Sequence, residues 1–296
     1  MQICPASFDL IDPVLFTIPE LFGVGPFPIR WYAIAYIAGL FLGLWWVLRL
    51  VSRDHLWGLS KATQRAPYTK DFVEDLALWI MLGVIGGGRL GYVLFYAVWD
   101  DNSPLWDNPL WALTGITEGG MSFHGGLIGV ALAIYFTSRA HNAPLMRVAD
   151  AVATATPIGL FFGRLANFIN GELWGRASDV PWAMRFAADP ECLLRHPSQL
   201  YEAFLEGAVL FAVLAWLVYR HKALARPGLA TGVFLAGYGL FRGLVELVRE
   251  PDIHMPEALQ GFVTMGMLLC VPMIALGAWL IRRALKAQAV GGPKPA

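Results

Sequence analysis

The sequence predicts an all-α, polytopic membrane protein with seven transmembrane helices and small extracytoplasmic cap loops. Apolar residues make up 57% of the 296 and charged residues only 15%, a balance that excludes an ordinary soluble domain. Seven apolar runs each approach the roughly 20 residues needed to cross a hydrocarbon layer. Basic residues gather in alternate loops, the pattern that orients a multi-pass chain. Positive and negative charges cancel, and nothing in that balance points to a nucleic-acid partner.

The first 28 residues carry Asp9, Asp12, Glu20 and several prolines but no basic leader, so they do not read as a cleavable signal. Leu10, Ile11, Val14, Leu15, Phe16, Ile18, Leu21 and Phe22 suggest a segment lying in the outer membrane interface. The spans fall near 31–51, 76–98, 121–138, 148–167, 198–219, 229–249 and 260–281. Thr154, Thr156, Pro157 and Gly159 dilute the fourth, which reads as the weakest and as kinked, since proline is tolerated where neighbours re-satisfy the backbone. Lys61, Lys70, Lys222, Lys286 and Lys294 all fall on one side, whereas loop 99–120 has Asp100, Asp101, Asp107 and Glu118 without a lysine or arginine. That asymmetry places the N-terminus outside and the C-terminus in the cytoplasm, with Arg176, Arg185 and Arg195 in loop 168–197 as an exception. Residues 1–286 form one transmembrane catalytic domain, and 287–296 a disordered tail. Three cysteines give no metal spacing; Cys4 and Cys192 share the outer side, and Cys270 lies within the last span.

Polar chemistry is concentrated where spans end on the outer side. The stretch Gly163-Arg164-Leu165-Ala166-Asn167-Phe168-Ile169-Asn170-Gly171-Glu172-Leu173-Trp174-Gly175 follows an apolar run directly. Charged groups at membrane depth are costly and mark a site with a partner. Arg164 alone could snorkel to the headgroups; an arginine, two amides and a carboxylate within nine residues are harder to explain that way. Gly119-Gly120-Met121-Ser122-Phe123-His124-Gly125-Gly126 opens the third span, with glycines that free amides for an anion and a helix end that keeps His124 neutral. A histidine capping a glycine-rich turn is the alternative. Tyr238, Arg242, Glu246 and Arg249 share one face of the sixth span, where two arginines outnumber one glutamate and the surplus charge calls for an anion. Arg30-Trp31-Tyr32 opens the first span; Arg89 sits among glycines on the second, which read first as close packing. His196, Gln199, Tyr201 and Glu202 open the fifth and read as an outer layer around the site. No cluster has metal-ligand spacing, and no dinucleotide or phosphate-loop motif is present. Arginines at membrane depth imply an anionic amphiphile, a phospholipid headgroup above all.

These motifs resemble those of the bacterial prolipoprotein diacylglyceryl transferases. The family's Gly-Arg-x-(Gly/Ala)-Asn-Phe-x-Asn-x-Glu-x-x-Gly signature is matched at every fixed position from Gly163 to Gly175, and His124-Gly125-Gly126 resembles its His-Gly-Gly element. The runs His196-Pro197-Ser198-Gln199-Leu200-Tyr201-Glu202 and Tyr238 through Arg249-Glu250-Pro251-Asp252 resemble two more. The resemblance implies transfer of the diacylglyceryl group of phosphatidylglycerol to the lipobox cysteine of a preprolipoprotein, releasing glycerol phosphate. It implies no metal or organic cofactor, a bacterial inner-membrane location and a site facing outward; the chain is expected to act as a monomer. Within that reaction Arg164 and Arg242 are expected to clamp the phosphate, and His124 to act as base with Tyr238 as its understudy. Tyr32, Arg89, Asn167, Asn170 and Arg249 are expected to bind substrate, Glu172 and Glu246 to orient arginines, and Gly175 to give backbone room. A transporter or flippase of an anionic lipid is the competing class, distinguished by polar groups accessible from both sides. A retinal protein is excluded by the lack of lysine within the spans.

Overall fold

The computed structural model describes residues 11–20, 26–58, 66–100, 103–115, 120–250 and 264–287. Cys4, residues 21–25, Gly119, Pro251-Asp252 and the tail from 288 onward lie outside these, and with them the expectations made there. The chain forms a helical bundle entered through a hairpin. Among the described residues, seven helices of 17 residues or more follow in order: α1 (Trp31–Val51), α2 (Lys70–Phe95), α3 (Phe123–Ala140), α4 (Leu145–Ile169), α5 (Ser198–His221), α6 (Leu229–Val245) and α7 (Met265–Lys286). Five stretches among the described residues are long and apolar enough to cross a membrane: Trp31–Val51, Lys70–Trp99, Leu145–Ile169, Ser198–His221 and Gly266–Lys286. Leu229–Val245 is apolar but shorter. The protein is thus mostly helical and multi-pass.

The hairpin departs from the all-α expectation. β1 (Val14–Ile18) pairs antiparallel with β2 (Phe27–Arg30), and its apolar side chains Leu15, Phe16 and Phe27 remain exposed. Pro13, Pro19, Pro26 and Pro28 bar a helix through this segment, while Val14, Phe16, Thr17 and Ile18 favour extended backbone.

The span expected to be weakest proves to be the hub. α4 runs unbroken through Pro157 and packs on α1, α5 and α6. The small residues that dilute its hydropathy let neighbours close in: a Cβ on Gly39 of α1 would stand 3.1 Å from the Gly159 Cα, and Trp46 donates an indole hydrogen bond of 3.0 Å to the Thr154 hydroxyl. α2 and α3 form a second tight pair, in which a Cβ on Gly87, Gly125 or Gly129 would collide with carbonyl oxygens of the other helix. Two further adjustments were invisible in the hydropathy. The middle of α5, Ala203–Val209, is a π-helical turn, a feature frequent at functional sites. α6 stops at Val245, short of the expected 249, because the chain turns there to bridge Arg249 with Gly175.

The apolar core lies toward the end of the bundle opposite this bridge. Trp46, Leu50, Leu56, Trp57, Phe72, Val148, Leu214, Val218 and Leu224 are buried together there. Two charged groups seal that end. Asp150 of α4 accepts hydrogen bonds from the Gly228 amide (2.7 Å), the Thr231 amide (2.8 Å) and the Thr231 hydroxyl (2.7 Å), capping α6 from another helix. Arg147 donates to the Trp57 carbonyl at 3.0 Å.

Candidate active site

At the other end, three helices and one turn bring six ionisable side chains into one cluster. Arg164 on the last turns of α4 faces α5, where its Nε lies 3.0 Å from Glu202 Oε2. Arg242 on α6 pairs with Glu202 and, one turn along its own helix, with Glu246. Arg249, just beyond α6, reaches Glu202 Oε1 at 3.0 Å. One carboxylate therefore holds three guanidinium groups that belong to different segments. Glu206, a turn further along α5, lies 3.9 Å from Arg164 Nη2. Tyr238 sits one turn before Arg242, within electrostatic reach of Arg164, Arg242, Glu202 and Glu206.

Charge and exposure divide this cluster into two layers. Glu202 and Glu206 side chains are 0% exposed, whereas those of Arg164, Arg242 and Arg249 keep 17%, 14% and 13%. The cations form the open side and the carboxylates lie behind them. Expecting surplus positive charge from two arginines and one glutamate was incomplete: with Arg164, Glu202 and Glu206 included, charges balance at three of each. Glu202 is thus the centre of the cluster rather than an outer-layer residue, and Glu206 belongs to it although no sequence motif marks it. Their spacing of four within an otherwise apolar span was the available signal, since two carboxylates on one buried helical face demand cations.

Beside the cluster, the same end of α4 builds a smaller polar triangle. Asn167 Nδ2 donates to the Tyr32 hydroxyl at 2.9 Å and to Glu172 Oε1 at 2.8 Å. Glu172 thus orients Asn167 rather than an arginine. Asn170 ends α4 as its cap, and Gly171 adopts φ +65°, the left-handed turn that glycine allows at such a position. Gly175 is where three segments interlock. Its amide donates to the His196 carbonyl at 2.9 Å, Arg176 N donates to the Val248 carbonyl at 2.8 Å, and a Cβ would strike the Val248 oxygen. The turn is fixed further by Gln199 and Ser198, which donate to the Glu172 and Leu173 carbonyls at 2.6 and 3.0 Å. Thus the signature stretch and the His196–Glu202 run support each other.

The other two candidates stand on the α2–α3 pair. Arg89 donates to the Ala112 carbonyl at 2.9 Å and the Trp111 carbonyl at 2.7 Å, with its guanidinium over the Trp111 ring. It therefore pins the loop before α3. His124 lies exposed in the first turn of α3. The amides expected to be open for an anion are engaged: Gly125 N donates to the Ser122 hydroxyl at 3.3 Å and Gly126 N to the Ser122 carbonyl at 3.0 Å. Gly125 serves contact with Gly87 and Gly91.

The exceptional arginines of loop 168–197 are also accounted for. Arg195 bonds Asp189 (2.6 Å), Glu191 (2.6 Å) and Glu250 (3.1 Å), so its charge is compensated locally. Burial pushes the Asp189 carboxyl up, but hydrogen bonds from Arg195 and from the Glu191 and Leu193 amides outweigh it and hold the group below its ordinary value. Arg176 donates to the Arg249 carbonyl and Arg185 to that of Cys192.

The family model described as prolipoprotein diacylglyceryl transferase matches residues 19–283. The chain belongs to this family. It is 49% identical over 282 residues to the phosphatidylglycerol–prolipoprotein diacylglyceryl transferase of Sinorhizobium medicae, covering 95% of each chain. The like-named protein of Caulobacter vibrioides is 47% identical over 293 residues (94% of this chain, 95% of that one), and that of Brucella ovis 45% over 290 residues (97% and 98%). The match to the diacylglyceryl transferase family thus takes in α1 to α6, most of α7 and every residue of the cluster and the Asn167 triangle.

Proposed function

We propose that this chain, one domain over residues 1–286, transfers the diacylglyceryl group of phosphatidylglycerol to the lipobox cysteine of a preprolipoprotein, and that Arg164, Arg242 and Arg249 seat the lipid phosphate. The observation that carries the reading is the convergence of three partly open guanidinium groups in front of buried carboxylates. A guanidinium matches two phosphate oxygens at once and stays charged, so carboxylates behind it orient it without neutralising its donors.

The chemistry is a displacement at carbon. The thiol sulfur attacks the glyceryl carbon, the carbon–oxygen bond to phosphate breaks, and its electron pair leaves on glycerol phosphate. The departing charge is what limits the step, and a fixed donor at that position contributes about 3 kcal/mol. Free thiols ionise near pH ~8.5, so a base helps. His124 takes the proton in this reading, because Tyr238 titrates too high for the role and arginine does not deprotonate. Tyr32, Asn167 and Asn170 hold the headgroup glycerol, Glu172 and Glu246 fix Asn167 and Arg242, and Gly175 keeps the turn close. Arg89 holds the loop before α3 and contributes positive potential.

Seven spans with the N-terminus outside put the cluster beneath the outer leaflet of the bacterial inner membrane; the lysine distribution supports this. Lipid then reaches the monomer sideways between helices, since both substrates are held in the membrane. The hairpin's exposed Leu15, Phe16 and Phe27 fit a segment resting in the interface. The test is purified protein with phosphatidylglycerol and a lipobox peptide, read by mass spectrometry. A diacylglyceryl thioether is expected; its absence, or glycerol phosphate released without peptide, contradicts the proposal.

A further inference from the structure

Building on that phosphate seat, we infer that Glu206 takes up a proton when the anionic headgroup binds, so that the buried cluster stays electrically balanced. With the three glutamates ionised, as the lipid-free site is at sufficiently high pH, they cancel the three arginines. A phosphodiester carries one negative charge, and adding it to a neutral, water-poor cluster leaves that charge uncompensated, which is costly at membrane depth. A proton arriving with the lipid removes the cost. Hydrogen bonding decides which carboxylate accepts it. Glu202 is engaged by Arg164, Arg242 and Arg249, and Glu246 by Arg242 with Arg249 4.0 Å away. Protonating either would break charge-assisted bonds. Glu206 is also fully buried, yet among the described residues neither of its oxygens accepts a hydrogen bond, and its one cation, Arg164, is 3.9 Å away.

The groups that face Glu206 do not change this choice. They are Arg164 on α4, Glu202 on α5, Tyr238 and Arg242 on α6, Arg249 beyond it and Cys270 on α7. The arginines stay charged throughout, and Tyr238 and Cys270 are neutral acids at physiological pH. The π-helical turn also matters. It carries Glu206 in the turn that follows Glu202 and sets Gly207 against Phe161 of α4. Glu206 is on this account a charge-compensating residue behind the arginines, not a catalytic residue.

Proton uptake and lipid binding are measurable together. Radiolabelled phosphatidylglycerol in detergent micelles is added without peptide to weakly buffered protein at pH 8, and bound lipid and an indicator dye are read on the same sample. Wild type should take up about one proton per lipid bound, and its affinity should fall about tenfold per pH unit above the pH where Glu206 ionises in the empty site. E206Q, already neutral, should bind lipid without uptake and with an affinity that does not change with pH. Wild type that binds lipid with no uptake, or E206Q that takes up as much as wild type, overturns the inference while leaving the phosphate seat intact. If E206Q does not fold, Glu206→Ala is read in its place, and the wild-type measurement stands alone regardless. An Arg242→Lys arm separates the two ideas: if it binds lipid as tightly as wild type, the seat is elsewhere and the inference falls with it.

Discussion

The two ends of this bundle bury the same kinds of groups and use them in opposite ways. At the Asp150 end, a carboxylate and an arginine are held mainly by backbone: Asp150 accepts from the Gly228 amide and from the amide and hydroxyl of Thr231, and Arg147 donates to the Trp57 carbonyl. Around them pack Trp57, Val148 and Leu224, all sealed from outside. At the Glu202 end, the arginines hold other side chains and face outward, and Glu206 has unused acceptors. Backbone partners belong to the fold and cannot be exchanged without unfolding it. Side-chain partners can share a cation with an incoming anion. On the proposed reading, buried charge marks function here where its partners are themselves side chains and its hydrogen-bonding capacity is incomplete.

Breaking the functional end should give the largest effect. Arg242→Lys keeps the charge but loses the planar fork, and transfer should fall by about 10²- to 10³-fold with expression and melting temperature near wild type. Near-normal turnover in steady-state assays would remove Arg242 from the seat. His124→Gln should lower the transfer rate about 100-fold while leaving phosphatidylglycerol binding intact. Equal loss of binding and transfer would make His124 a lipid-positioning group instead.

The structural end should respond in stability. Asp150→Ala strips three donors of their acceptor and uncaps α6, and should cost about 2–4 kcal/mol in thermal unfolding. Turnover per folded molecule should hold, because the cap lies at the far end of α4 and α6 from the arginines. A variant that stays fully stable but loses activity would erase the contrast between the ends.

The smallest effect concerns acid. Asp189 titrates below its unfolded value, so the stability it contributes through Arg195 is complete above about pH 4 and is lost as pH falls through the lower, folded value. Asp189→Asn should therefore lower stability at neutral pH and flatten the acid limb of a melting-temperature profile; an unchanged limb would show that other carboxylates govern it.

Much of this contrast was legible before any coordinates. The Gly163–Gly175 stretch names Arg164, Asn167 and Glu172 by being polar where a span ends, and spacings of four and three put Tyr238, Arg242, Glu246 and Arg249 on one face. Hydropathy located the long helices, and among the described residues five stretches are long and apolar enough to cross a membrane, because about 20 apolar residues are what a bilayer requires. Other features were not legible, each for a physical reason. Glycine and threonine lower the hydropathy of α4 but allow closer packing, so the span that looked weakest became the hub. The π-helical turn in α5 is a matter of backbone register that no side-chain pattern announces. Pairing was hardest: Arg89 and Arg164 look alike in sequence, yet one grips loop carbonyls and the other a glutamate, which depends on what the tertiary fold carries to each.

The phosphate seat itself is tested most directly by a structure of the protein with phosphatidylglycerol bound. The account predicts the phosphorus between Arg164 and Arg242, with its oxygens within hydrogen-bonding distance of both guanidinium groups and Glu202 still behind them. A headgroup bound away from these arginines, with the cluster unchanged around Glu202, would contradict it.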